Sequence, residues 1–290
     1  MENFECKTKL PTFGELLFQI YEGFGLKWQK NEGDEKSKKE KERLKKEKNL
    51  TIKEYEKILN EVFLRLYSEL QLDENVKEDI QIILSSFRKK YNDFRSNAIV
   101  IHFEKEEDIK KAISAGYATM FLQFPEYFNL IKQESILKGK SELSIYNLIE
   151  HISKQTYDKR VFWKNLKKNF KDMRKDEEPD YTEKFFKDLK KGKHIPSKDN
   201  IENLIFSLKE TIKNFPEIKK FYESKISILV YFCRLLDSLS KDNQYLKDFI
   251  INPEKIENYR DENIEKISSL FEDNENIQKL DNLTPVRKLS

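Results

Sequence analysis

Apolar residues recur at three- and four-residue spacing along most of the chain, the signature of helices that each bury one face. Ile58, Leu59, Val62, Leu66 and Leu70 keep that spacing after Thr51 to Glu54 (TIKE). That tetrapeptide fits a capping box, with the Thr51 side chain accepting from first-turn amides and Glu54 reaching back, so a helix is predicted from there to about Gln71. Asp73 is placed to cap a second helix through Ile80, Ile83, Leu84, Phe87 and Tyr91. Between Phe94 and Phe103 the β-branched run Ile99, Val100 and Ile101 predicts a short strand or a helix junction. A further helix is expected from Glu106 to about Gln123, where Ala112, Ala115, Gly116 and Ala118 permit close approach of a neighbour. Pro125 interrupts it, and the pattern continues through Tyr127, Phe128 and Ile131. From Ser141 it resumes with Leu143, Tyr146, Leu148, Ile149 and Ile152.

The later half follows the same grammar. From Val161 to Met173, one stripe holds Trp163, Leu166, Phe170 and Met173 and another holds Lys164, Lys167, Lys168 and Lys171. Asp180 with Glu183 repeats the capping-box signature and opens a helix with Tyr181, Phe185 and Leu189 on its buried side. Lys184, Lys187 and Lys191 line the opposite side. Gly192 is suited to end that helix in a left-handed conformation, Pro196 stops its continuation, and Ser197 caps a next helix through Ile201, Leu204, Ile205 and Leu208. Glu217 to Leu239 is apolar on most faces and is predicted to be the central core helix. At the other end of the chain, the aromatic stretch Phe13 to Trp28 gives way to a charged tract, Lys30 to Lys48, in which Leu44 is the single apolar residue. That tract reads as a solvated linker or exposed helix, or as a basic nucleic-acid contact, since residues 36–48 hold eight Lys/Arg against three Glu.

The pattern therefore predicts an all-α, multi-helix, bundle-like protein with no internal repeat. It divides into an apolar segment with a charged linker (1–50), a helical region (51–140), a region built on helix, turn and helix (141–215) and a C-terminal helical region (216–290). A chain of 290 residues is long enough for one large helical domain or for two to three subdomains sharing surfaces. A charged fraction of 37% with mean hydropathy −0.79 would also suit a disordered polyelectrolyte. The 21 Phe and 13 Tyr need a core to sit in and decide for a folded protein. Cys6 and Cys233 lie too far apart in sequence for a metal-ligand spacing or a disulfide framework, which points to a reducing compartment. There is no secretory-signal pattern. The longest apolar run, Ile228 to Cys233, falls far short of the roughly 20 residues a membrane span needs. A cytoplasmic location away from membranes is expected.

Chemistry is sparse. His102, His151 and His194 share no metal-ligand spacing, and no phosphate-binding glycine loop, nucleophile elbow or paired-cysteine motif occurs, so no cofactor and no metal are expected. Charge is more telling. The whole chain carries +3, yet from His151 to Lys198 fifteen Lys/Arg stand against eight Asp/Glu. Within that basic stretch the order Lys191, Gly192, Lys193, Pro196, Ser197 resembles the later part of the lambda-repressor-like (XRE-type) helix-turn-helix family, over residues 157–213. The resemblance implies that Lys184 and Lys187 lie on the recognition-helix surface while Lys190, Lys191, Lys193 and His194 approach phosphates.

The function expected on that footing is non-catalytic nucleic-acid binding, regulatory in kind, with DNA favoured over RNA. Its contacts would come from the lysine faces: Lys164, Lys167, Lys168, Lys171, Lys184, Lys187, Lys190, Lys191 and Lys193. These residues supply salt-sensitive phosphate attraction, and no Arg or Asn pair for bidentate base reading accompanies them. In that family the recognition helix enters the groove by its N-terminal end, where this chain has Asp176, Glu177, Glu178 and Asp180, which repel phosphate. A helical protein-interaction scaffold is therefore the first alternative, with a protein partner and the lysines as a solvated face. The second rests on Arg95 and His102, whose spacing resembles the Arg-x4–6-His motif of HEPN ribonucleases and implies RNA cleavage by an Arg and His pair across a dimer interface. The plain reading makes His102 a structural histidine. Trp28 and Trp163 read as buried anchors before they read as base-stacking platforms.

Overall fold

The computed structural model describes residues 10–28, 35–46, 52–70, 74–97, 106–122, 144–174, 180–192, 195–259 and 261–262. The fold is all-α. The helices include α1 (Phe13–Gly23), α2 (Glu35–Lys46), α3 (Ile52–Leu70), α4 (Glu74–Asn97), α5 (Glu106–Leu122), α6 (Ile145–Lys154), α7 (Lys159–Arg174), α8 (Tyr181–Lys190), α9 (Lys198–Ile212), α10 (Pro216–Tyr222), α11 (Ile226–Leu239) and α12 (Leu246–Ile251).

The core is organised around α11, whose residues from Ile226 through Leu236 are all buried, with α1, α6 and α9 packed round it. A helix that is apolar on nearly all faces must be covered on nearly all faces, and the predicted central role of this segment holds. Its predicted length does not. The chain breaks at residues 223–225, where the Lys225 N–H donates to the Tyr222 carbonyl at 3.0 Å, and a separate short helix, α10, precedes the break with Pro216 at its first position. Ile218, Tyr222 and Ile226 are four residues apart and all buried, so the apolar period runs unbroken across an interrupted backbone.

One apolar cluster includes residues from α1 to α12 and joins all four stretches read from the sequence. In α1 a capping box forms: the Thr12 hydroxyl accepts from the Glu15 N–H at 3.1 Å and Glu15 accepts from the Thr12 N–H at 2.8 Å. The charged tract becomes the mostly exposed helix α2, fastened to α1 by Leu44, which is fully buried. A Cβ on Gly14 would stand 2.4 Å from the Leu44 carbonyl oxygen, so only glycine admits this backbone approach. Trp28 is buried and donates to the Ser37 carbonyl at 3.0 Å, an anchor between the two helices.

The predicted core faces of α3 and α4 are as expected, with Ile58, Leu59, Val62, Leu66, Leu70, Ile80, Leu84, Phe87 and Tyr91 all buried. Helix α4 runs on to Asn97; residues 98–105, with the Ile99 to Ile101 run read as a short strand or helix junction, lie outside the described residues, as do the Thr51 and Asp73 caps and the stretch 123–143. In α5, Ala112, Ala115 and Ala118 are buried where α4 and α12 pack against it. The cap of α6 is Ser144 rather than a residue near Ser141, its side chain accepting from the Asn147 N–H at 3.2 Å. Among the described residues no helix is long and apolar enough to cross a membrane.

Candidate nucleic-acid interface

The basic stretch resolves into α7, α8 and the start of α9. Helix α7 carries seven Lys/Arg and one Asp. Phe162, Leu166 and Phe170 are fully buried and fix its orientation against α9, where Asn169 donates to the Thr211 hydroxyl at 3.0 Å and Thr211 donates to the Ser207 carbonyl at 2.7 Å. The buried stripe thus begins at Phe162, one position before the Trp163 that the sequence pattern assigns to it. Trp163 is only half-buried, stacked on Tyr146 with centroids 5.5 Å apart and edge-on to Phe186 at 5.8 Å. With those residues turned inward, the helical period turns Lys164, Lys168 and Lys171 outward, and all three are exposed. Asp158, which the periodic pattern does not mark, caps α7 by accepting from the Arg160 and Val161 amides at 2.8 and 3.1 Å.

Helix α8 buries Thr182, Phe185, Phe186 and Leu189. Phe170 stacks on Phe185 at 4.6 Å and meets Phe186 edge-on at 5.4 Å, which seats α8 against α7. The expected Asp180 capping box is absent. Asp180 has helical backbone angles (φ −97°, ψ −4°) and makes no side-chain cap bond, because a side chain reaches the first-turn amides only from an extended residue. Glu183 is instead drawn across to α7, where Lys167 Nζ donates to its two oxygens at 2.9 and 2.7 Å. The end of α8 is as read from the sequence: Gly192 has φ +62°, and Ser197, extended at ψ 166°, caps α9 by accepting from the Asn200 N–H. Arg174 closes the corner, with its guanidinium 3.4 Å from the Tyr181 ring and a 3.0 Å hydrogen bond to Asn200 Oδ1.

The Lys167–Glu183 pair sets the two lysine rows side by side. One helical turn to either side of Lys167 lie Lys164 and Lys171; one and two turns along from Glu183 lie Lys187 and Lys190. Lys184, Lys187, Lys190 and Lys191 are exposed, and Lys190 Nζ stands 5.8 Å from the Tyr146 ring. Among the described residues Lys164, Lys168, Lys171, Lys184, Lys187 and Lys191 make no ion pair, while Lys167 is neutralised by Glu183. Lys193, His194, Asp176, Glu177 and Glu178 lie outside the described residues; Asp180, at the start of α8, is exposed.

Arg95 is on the α4 backbone and His102 lies outside the described residues. His151 is half-buried on α6 with Nε2 2.5 Å from Gln155 Nε2, and Gln155 in turn donates to the Tyr222 hydroxyl at 3.0 Å, a structural bridge between α6 and α10. Cys233 is fully enclosed, and burial pushes its thiol pKa well up, away from the thiolate form that reacts. Among the described residues no group of three or more His, Cys, Asp or Glu is placed to hold a metal ion. Comparison with known proteins gives no match: no family model, no curated protein and no solved structure resembles the chain closely enough to place it.

Proposed function

We propose that this chain is a non-catalytic nucleic-acid-binding protein, regulatory in kind, that grips phosphates with the outer faces of α7 and α8. The observation that carries the reading is the set of six exposed lysines that make no ion pair among the described residues, on two adjoining helices, in a chain whose total charge is only +3. Lys164 and Lys168, Lys168 and Lys171, Lys184 and Lys187, and Lys187 and Lys191 are neighbours at three- or four-residue spacing. Like charges so placed each cost a helix about 0.2–0.5 kcal/mol. A polyanion relieves that repulsion and gains the release of its own counterions.

The exposed Asp180 disfavours insertion of the N-terminal end of α8 into a groove, so the helix faces make the contact. Lysine alone offers point charges and no bidentate base reading, which fits non-specific or shape-based recognition. The likeness to XRE-type helix-turn-helix proteins then extends to the order of turn and capping residues, with a different docking edge.

The test is fluorescence anisotropy of labelled duplex DNA and single-stranded RNA at several salt concentrations. The expected dissociation constants are about 10⁻⁶ to 10⁻⁴ M near physiological salt, weakening as salt rises. Lys187→Glu with Lys191→Glu should weaken binding to every sequence and flatten the salt slope by about one for each phosphate no longer neutralised. No binding at low salt sinks the proposal. A second reading, a protein-interaction scaffold, draws on Phe206 and Phe221, which are 45% and 43% exposed on α9 and α10. It requires a protein partner whose capture survives the same charge reversals.

A further inference from the structure

Resting on the phosphate-gripping reading above, we infer that the nucleic acid is single-stranded and that Tyr157 is the platform on which one of its bases stacks. Tyr157 is 75% exposed in the turn between α6 and α7. A tyrosine usually gains by burying its ring, yet this one is propped outside the core. Its ring leans on Phe215 with centroids 5.3 Å apart, Phe215 is fully buried, and Phe215 rests in turn on Phe162 at 5.5 Å. The Tyr157 N–H donates to Glu217 Oε1 at 3.0 Å, which ties the turn to the start of α10. The residue is thereby held at both backbone and ring while most of its surface stays in water. Such a ring stacks on a base without first being ordered.

The place in the sequence matters as much as the exposure. From Tyr157 the chain enters α7, whose solvent stripe runs Arg160, Val161, Lys164, Lys168 and Lys171 before it reaches Asp172, all exposed. At 1.5 Å of rise per residue, Lys164 lies about 10 Å along the axis from Tyr157, a reach of one or two nucleotides. Among the described residues three carboxylates at this end are engaged: Asp158 on the α7 amides, Glu217 on the Tyr157 N–H, and Glu150 on Lys159. A base is free to stack on a protein ring in a single strand, whereas in a duplex both of its faces are taken by its neighbours. A basic track headed by a fixed open ring therefore selects single strands.

The experiment compares labelled single-stranded DNA, single-stranded RNA and duplex DNA of one mixed sequence at matched salt. It uses the full chain, Tyr157→Ala, Tyr157→Phe, and Lys168→Glu with Lys171→Glu. The expected result is tighter binding of single strands than of duplex. Tyr157→Ala should lose about 5- to 100-fold for single strands with the salt slope unchanged, and Tyr157→Phe should keep wild-type affinity. Tight binding of either single strand supports the inference, and the stronger of the two names the sugar preferred. Wild-type affinity in Tyr157→Ala, or duplex bound as tightly as single strand, overturns it while salt-dependent, lysine-dependent binding leaves the phosphate reading standing. Absence of all binding at low salt overturns both. Circular dichroism melting separates these outcomes from unfolding, which truncation of so exposed a ring should not cause.

Discussion

Arg234 is the residue on which the most distant parts of the chain converge. It is buried in α11, and its guanidinium donates to the Pro196 carbonyl at 2.9 Å and to the Gly23 carbonyl, joining the end of α1 to the turn that leads into α9. Burial pulls its pKa below the usual arginine value, but a guanidinium stays charged in proteins. Gly25, at φ +88°, completes the arrangement, since a Cβ there would lie 2.9 Å from the Arg234 Cζ. Replacing Arg234 by Met leaves the two carbonyls without their donor, and a buried unpartnered acceptor costs about 1–3 kcal/mol. Arg234→Met should therefore lower unfolding stability by roughly 2–5 kcal/mol in urea titration, and a loss under about 1 kcal/mol would show that the carbonyls find other donors. In the sequence Arg234 looks like the polar boundary of an apolar run. Its partners lie 38 and 211 positions away, and no local pattern encodes such a contact. Gly192 was legible for the opposite reason, because its role depends only on the helix it ends and on Pro196 and Ser197 close behind.

At the scale of the element, the two helix starts around the basic stretch show what a capping signature does and does not determine. Asp180 with Glu183 and Ser197 with Asn200 look alike in sequence. Only Ser197 takes the extended backbone that aims its hydroxyl at the first-turn amide, while Glu183 answers to Lys167 on the neighbouring helix. Ser197→Ala should destabilise the protein by about 1 kcal/mol, as loss of an N-cap does, and Asp180→Ala by no more than a few tenths. Equal losses in thermal or urea unfolding would contradict the assignment. The buried stripes are legible because a 3.6-residue period leaves little choice of face once two anchors such as Leu166 and Phe170 are placed. The choice between Phe162 and Trp163 is not, because either fits the period equally well, and neither is the break between Tyr222 and Ile226, because the apolar period runs through it unbroken. The lysine rows are visible in the sequence as rows. That the Lys167–Glu183 pair sets them side by side depends on how α7 and α8 pack.

Across the whole molecule, the aromatic content read from composition becomes a core that holds tyrosines out of water. Burial pushes the hydroxyl pKa of Tyr67 and of Tyr222 up to about 12, and those of Tyr21, Tyr117 and Tyr231 further still. Unfolded tyrosine ionises near pH 10, so above that pH the folded state binds more protons than the unfolded one and stability falls as pH rises. Stability from these groups is fully present below about pH 10 and is lost progressively through pH 12 and beyond. Tyrosinate absorbance and helical circular dichroism recorded together from pH 9 upward should change in one cooperative step. Early, non-cooperative ionisation of most tyrosines would contradict the burial. By itself the sequence determined the fold class, the helix faces, the central apolar segment and the concentration of positive charge between His151 and Lys198, because these follow from period and composition within one element. The tertiary structure alone decided which lysine is neutralised, which carboxylates are engaged, that Arg234 binds three separate segments together, and that Tyr157 stays outside the core on a buried Phe215. Apart from Asp158, which caps its own helix, each of those is a contact between different elements, and only packing brings them within reach.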